Sequence, residues 1–222
     1  MEDFFYKRNK SKDYHKMTNL QIEPYKNKLA LIWFIEYLIT LGLVMIPTGI
    51  SSSEGTISMS GGAFGLFLTG AFMFSYIMIC DKVLFGYEPN LKDLFSEFKF
   101  YGRSLGLYLL TELYITLWSF LFIIPGIIKA YSYSMAPYIA LYNPNLSVSQ
   151  CITASRQLMK GNKGRLFCLH MSYLGWIILC FLTLGVLTFW VAPKIEYAQY
   201  LFYLDISGNG KKLDNIKTEI YD

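Results

Sequence analysis

The fold is decided by the stretch WSFLFIIPGIIKAYSYSMAPYIALYNPN, residues 118–145. It is almost wholly apolar or aromatic, and Lys129 is its only charged residue. Because soluble domains carry about 25% charged residues, so long a neutral run is typical of a segment that lies in lipid. Proline interrupts helices, so we expect two apolar helical segments that bend around Pro125-Gly126 and end at Asn143-Pro144.

The rest of the chain has a similar composition, with 54% hydrophobic and only 16% charged residues among 222. A helix that crosses the hydrocarbon core needs roughly 20 apolar residues, and its backbone groups must bond to one another. Four blocks meet or approach that length (29–50, 63–85, 104–128 and 166–187), and two shorter ones follow bends (130–142 and 189–206). We therefore predict an all-α fold, a polytopic transmembrane helical bundle of about six spans with short cytoplasmic amphipathic helices. The spans form one domain, 29–206, between a basic arm, 1–28, and a tail, 207–222.

The positions of the 20 Lys and Arg residues predict the topology. Seven precede the first block, none lies in the loop 51–62, and four lie in each of the loops that follow the second block and the bent pair. Because loops rich in Lys and Arg stay in the cytoplasm, we expect both termini there. Lys129 and Lys194 are exceptions, and we expect both near the outer face. Block 130–142 is short for a full span, so a re-entrant element is the alternative.

Two short amphipathic helices are expected on the cytoplasmic side. Ser147 and Gln150 have the spacing of a capping box, after which apolar residues recur at helical spacing until Gly161. In segment 91–100, apolar residues alternate with charged ones. Helices of this kind lie in the plane of the membrane interface.

Several motifs occur in an order that resembles one protein family. They are LF-x-x-F at 94–98, LW at 117–118, IIPGIIKAYSYSMAPYI at 123–139, LMKGNK at 158–163 and F-x-L-x-x-S-x-x-GW at 167–176. From about residue 65 to 206 the chain resembles a bacterial multi-pass membrane family catalogued as domain of unknown function 975. The resemblance implies a protein of the bacterial plasma membrane and supplies no reaction, ligand or catalytic residue. Where the family pattern has Pro-Tyr in the last span, this chain has Pro193-Lys194.

Ionisable residues inside or beside the predicted spans are the first candidates for a functional site. A charged group at the bilayer centre costs ~2.5–3.5 kcal/mol on insertion scales, so such groups usually face protein or water. The candidate intramembrane polar site consists of Glu36, Glu112, Lys129, Lys194 and Glu196. One interpretation is a proton or cation site. The other is a set of protonated or paired side chains that fix helix packing.

Tyrosines that recur at helical spacing are candidates for a binding groove. These are Tyr131, Tyr138, Tyr142, Tyr197 and Tyr200. Facing tyrosines suit a hydrated groove for a peptide or a lipid headgroup. The alternative is an aromatic belt at the membrane interface together with helix packing.

The basic residues after the bent pair are candidates for binding anionic lipid headgroups. They are Arg156, Lys160, Lys163 and Arg165. Each basic residue near the surface contributes ~1 kcal/mol to such binding, and the same charges also set the orientation in the membrane. The glycine-rich turn at 160–165 lacks the order of a phosphate-binding P-loop.

No residue order in the chain indicates a catalytic site, so we expect no cofactor and no metal. The expected partners are the lipid bilayer, its anionic headgroups and a peptide or membrane protein, but not nucleic acid. We favour a non-enzymatic transport accessory, or an immunity or stress factor that handles peptides or lipids. An oligomeric channel or small-solute carrier and an intramembrane lipid-modifying enzyme are the alternatives.

Overall fold

The structure is a computed structural model that describes residues 11–44 and 62–208. Within these two ranges the chain is helical and contains no strand, which confirms the predicted all-α class. The α-helices there are α1 Ser11–Ile22, α2 Lys26–Val44, α3 Gly62–Leu84, α4 Tyr101–Leu121, α5 Ile123–Tyr133, α6 Ala136–Tyr142, α7 Val148–Leu158, α8 Lys163–Ser172, α9 Leu174–Leu182 and α10 Thr188–Ile206. Two 3₁₀ helices, Glu23–Tyr25 and Leu91–Phe100, precede α2 and α4. The predicted loop 51–62, except its last residue, and the tail beyond 208 lie outside the described residues.

The deciding stretch folds into three helices, whereas the sequence predicted two. The predicted segment 104–128 does not continue through the bend, since α4 ends at Leu121 and Phe122 is extended, with φ −161° and ψ 143°. The physical reason is that Pro125 has no N–H to donate to the carbonyl of Leu121. A second break follows α5, and Pro137 lies in the first turn of α6, where its missing N–H costs little.

Gly126 allows α5 to fold back closely against α4. A Cβ atom at Gly126 would lie 2.1 Å from Ser119 Oγ and 3.0 Å from Ser119 Cα. Contacts this short are sterically excluded, so only a residue without a side chain fits there. The predicted bend at Pro125-Gly126 therefore depends on both residues, one to end the helix and one to allow the close approach.

The predicted block 166–187 is also broken. It contains α8 and α9, which meet at Tyr173 with a bend of 42°. Judged by length and apolar composition, none of the helices within 11–44 and 62–208 could cross a membrane singly, and α8 with α9 could do so only as a bent pair. Before α10 the chain turns through Leu184 and Gly185, which have φ of 51° and 84°.

Helix α1 packs against α8 and α10 through buried Tyr14, Met17 and Ile22. The central part of the bundle is formed by α3, α6 and α10, whose buried residues are mostly aromatic or aliphatic. Residues 11–22, which the sequence assigned to a basic arm, are therefore part of the helical bundle.

The predicted amphipathic helix after Ser147 is confirmed as α7. Its capping box is formed by Gln150 N, which donates to Ser147 Oγ at 3.3 Å, and Ser147 N, which donates to Gln150 Oε1 at 2.8 Å. The helix buries Cys151 and Ile152 and packs against α4, α5 and α6. Segment Leu91–Phe100 is helical as well, although it is a 3₁₀ helix, and it packs against α3.

Candidate functional site

A cavity of about 290 Å³ lies between α2, α3, α4, α6 and α10. Glu36 from α2 and Glu196 from α10 both line it. Pro193 lies one turn before Glu196 inside α10. A proline there leaves the backbone carbonyl four residues earlier without its helical donor. Two residues of the predicted polar site thus meet in one place.

The walls of this cavity are largely aromatic. Its aromatic lining residues are Trp33, Phe72, Tyr76, Tyr108 and Tyr138. The rings of Trp33 and Tyr76 meet edge to face at 5.6 Å. None of the lining residues is Lys or Arg. Two acidic groups between aromatic faces suit a cation, which both the carboxylates and the ring faces attract.

The other three residues of the predicted polar site lie elsewhere. Glu112 is exposed on α4, one turn after the cavity residue Tyr108. Lys194 lines a second cavity, and its Nζ donates to Asn19 Oδ1 of α1 at 3.1 Å. Because residues two apart point to different sides of a helix, Lys194 and Glu196 face separate cavities.

The second cavity, of about 330 Å³, lies between α1 and the helices α9 and α10. His15 stacks on Tyr173 with ring centroids 3.9 Å apart, and its Nε2 lies 2.6 Å from Ser172 Oγ. Burial lowers the pKa of His15 below its usual value, which favours the neutral imidazole at pH 7. Trp176 and Trp190 complete the aromatic wall.

Four of the five predicted groove tyrosines lie together where α6 meets α10. These four are Tyr138, Tyr142, Tyr197 and Tyr200. Tyr203 belongs to the same cluster, with its ring stacked on that of Tyr138 at 5.0 Å. Tyr142 and Tyr200 both donate to Asp81 Oδ1, at 3.2 and 2.5 Å. Most of these rings are buried in the interior, and of the five only Tyr138 borders the Glu36–Glu196 cavity.

Tyr131 lies apart from the other tyrosines and contacts His170. Its hydroxyl is 3.2 Å from His170 Nδ1, and His170 Nε2 is 3.3 Å from Gln199 Oε1. Since Gln199 lines the Glu36–Glu196 cavity, this chain of polar contacts reaches the cavity from α8. In the part of the chain that the structure describes, no three His, Cys, Asp or Glu side chains form a group that could hold a metal ion.

Three of the four predicted headgroup-binding residues line a third cavity, of about 340 Å³. They are Arg156, Lys160 and Lys163, and Lys129 lines the same cavity. The sequence placed Lys129 near the outer face, away from these residues, and that separation is not observed. The reason is that α5 is short, folds back on α4 and packs against α7 and α8.

Arg165 is held in a buried ion pair instead. Its Nη2 donates to Asp205 Oδ2 at 2.6 Å, and the hydroxyl of Tyr14 donates to the same oxygen at 2.7 Å. The Asp205 side chain is 1% exposed and that of Arg165 is 20% exposed. The contact joins α1, α8 and α10. Sequence reasoning missed Asp205, although an acidic residue at the end of the last apolar block was a signal that a basic partner lies nearby.

Comparison with known proteins gives one family. Neither a curated protein nor a solved structure matches the chain. Residues 122–210 match the sequence model of a family described as protein of unknown function (DUF975). The match extends from α5 to the end of α10, so it includes Glu196 and the third cavity and leaves out Glu36. The resemblance seen in the sequence motifs is thus confirmed over residues 122–210, where the chain matches the family of unknown function DUF975.

Proposed function

We propose that the chain is a non-enzymatic, multi-pass helical protein of the bacterial plasma membrane, with both termini in the cytoplasm. In this proposal the cavity between Glu36 and Glu196 holds the cationic group of a peptide or an amine-bearing lipid. The observation that carries the proposal is the meeting of two carboxyl groups in one aromatic cavity that no Lys or Arg lines.

The exposed surface supports a location in lipid. Large apolar side chains are exposed at the α4–α5 bend and at the α9–α10 turn, with Phe120 and Phe181 each 86% exposed and Leu184 95% exposed. Soluble monomers rarely expose contiguous apolar surface of more than a few hundred Å². Together with the apolar blocks and the distribution of Lys and Arg, these residues are best accommodated by acyl chains.

The charge of the cavity supports a cationic ligand. Two carboxyl groups in an apolar setting repel each other when both are ionised, and each loses hydration. A ligand cation between them removes the repulsion, and the faces of Trp33, Tyr76 and Tyr138 add cation–π attraction. An ammonium group supplies the positive charge that the carboxyl groups and the aromatic rings attract. If an apolar peptide or lipid carries this group, the apolar part of the ligand can remain in the bilayer.

The proposal is tested by binding of tetraethylammonium to the purified full-length chain in a neutral detergent, measured by calorimetry. Glu36→Gln and Glu196→Gln each keep the side-chain shape and remove one charge. We expect each to weaken binding about tenfold, which corresponds to about 1.4 kcal/mol, and the double variant to weaken it further.

Glu112→Gln is the matched control, because it removes the same charge from an exposed position on α4. We expect its affinity to stay within twofold of the unaltered chain. Equal losses of affinity in the control and in the cavity variants would mean that the net charge of the chain explains binding. An unaltered chain that binds no tetraethylammonium would exclude the proposed site.

The same pair of carboxyl groups also favours one of the alternatives, a carrier of small cations. The two functions differ in transport, because a carrier moves the cation into sealed liposomes whereas a holding site only retains it. Flux of tetraethylammonium that requires Glu36 and Glu196 would select the carrier.

A further inference from the structure

The third cavity concentrates positive charge from three helices. Lys129 comes from α5, Arg156 from α7, Lys160 from the turn that follows, and Lys163 from the start of α8. Thr153 and Gln157 also line it and can offer polar hydrogens. The cavity shares no lining residue with the Glu36–Glu196 cavity. Four cations that converge from separate parts of the chain repel one another, and an anion bound between them would relieve that repulsion.

Within the described ranges no acidic side chain balances these charges. The ion pairs there involve other basic residues, such as Lys82 with Asp93 and Arg165 with Asp205. The sequence gives the reason, since the 83 residues between Glu112 and Glu196 include six basic residues and no Asp or Glu. The segment that forms the cavity therefore contains only one sign of charge.

Lys129 contributes a positive charge to the cavity from an apolar helix. It lies on an apolar helix between exposed Ile127 and Ile128 and partly buried Ala130, and its Nζ sits 4.3 Å from the centre of the Trp118 ring. The cation–π contact holds the ammonium group in place without neutralising it. An anion in the cavity would offset the repulsion between Lys129 and the other three basic residues that line it.

We propose that this cavity binds a phosphate or diphosphate group. A guanidinium can bind two phosphate oxygens at once, and three ammonium groups can neutralise the remaining charge. A volume of about 340 Å³ is ample for a diphosphate. Exposed Ile128 next to Lys129, and Phe167 one turn after Lys163, offer apolar surface beside the cavity, so the group could be carried by a lipid or be free in solution.

The test uses the purified full-length chain in a neutral detergent and two probes, inorganic diphosphate and dihexanoyl phosphatidic acid, with binding measured by calorimetry. The variant Arg156→Gln with Lys160→Gln is compared with a control, Lys12→Gln with Lys92→Gln, which removes two exposed charges elsewhere. We expect the cavity variant to weaken binding at least tenfold and the control to change it less than twofold. Lys129→Gln should weaken binding severalfold.

Binding of both probes would show that the phosphate group suffices, and binding of the lipid alone would show that its chains are needed as well; both results support the site. Three results would overturn it. These are no binding of either probe to the unaltered chain, an equal loss in the control variant, or an unchanged affinity after Lys129→Gln. The melting temperature of each variant, measured in parallel, identifies any loss that comes from unfolding.

Discussion

Replacement of Arg165 by methionine is expected to lower the free energy of unfolding by about 3–5 kcal/mol. The change removes the guanidinium that contacts the carboxylate of Asp205, whose side chain is 1% exposed. The hydroxyl of Tyr14 would remain as a donor to Asp205, but a neutral donor compensates a buried charge only in part. Because the contact joins α1, α8 and α10, the loss should affect the whole bundle. Thermal and denaturant unfolding in detergent measure it.

Two further variants make this prediction specific. Asp205→Asn leaves Arg165 unpaired, but Arg165 is 20% exposed and can gain water, so the loss should be smaller. Lys28→Met is the surface control, since the side chains of Lys28 and its partner Glu88 are 54% and 62% exposed, and it should change stability by less than about 1 kcal/mol. If Arg165→Met destabilises the chain no more than Lys28→Met does, the buried pair does not hold the three helices together.

Replacement of Gly126 by valine is expected to destabilise the chain by about 3 kcal/mol, at the upper end of the usual cost of overpacking. The new Cβ would lie 2.1 Å from Ser119 Oγ and 3.0 Å from Ser119 Cα, so α5 must move away from α4. That movement would also displace Lys129, which is one turn later on α5. The melting temperature and the affinity for diphosphate should therefore fall together.

Gly102→Val is the matched control, because Gly102 is a helical glycine with open space around its added Cβ. Its effect on the melting temperature should be small. Ser119→Gly combined with Gly126→Val should recover part of the loss, since it removes the nearest atom while leaving the backbone contact at 3.0 Å. A Gly126→Val chain as stable as the Gly102→Val chain would contradict the close approach of α5 to α4.

The sequence predicted the helical class and the positions of the main interruptions, because proline and glycine act locally on the backbone. Ser147 and Gln150 predicted the start of α7 for the same reason, since a capping box involves residues only three apart. The number of segments in the stretch 118–145 was wrong. The first break lies at Phe122, three residues before Pro125, because proline lacks the N–H that would donate to the preceding helical turn.

The grouping of site residues was harder to predict, because it depends on which helices pack together. Glu36 and Glu196 are 160 positions apart, and only the packing of α2 against α10 brings them to one cavity. The sequence analysis separated Lys129 from Arg156, Lys160 and Lys163, because hydropathy predicts only how deep a residue lies in the membrane. It does not predict that α5 folds back on α4. Asp205 and Gln199 were missed because each acts through a partner on another helix, Arg165 in one case and His170 in the other.

Binding of a cation between Glu36 and Glu196 can be tested by locating a heavy-atom cation in crystals of the purified chain. Tetraethylarsonium has the shape of tetraethylammonium, and its arsenic atom gives an anomalous signal that needs no prior assumption about the site. We expect one main arsenic peak inside the cavity, between Glu36 and Glu196 and against the ring of Tyr138. A peak at another place, or no peak in a crystal that diffracts well, would contradict it.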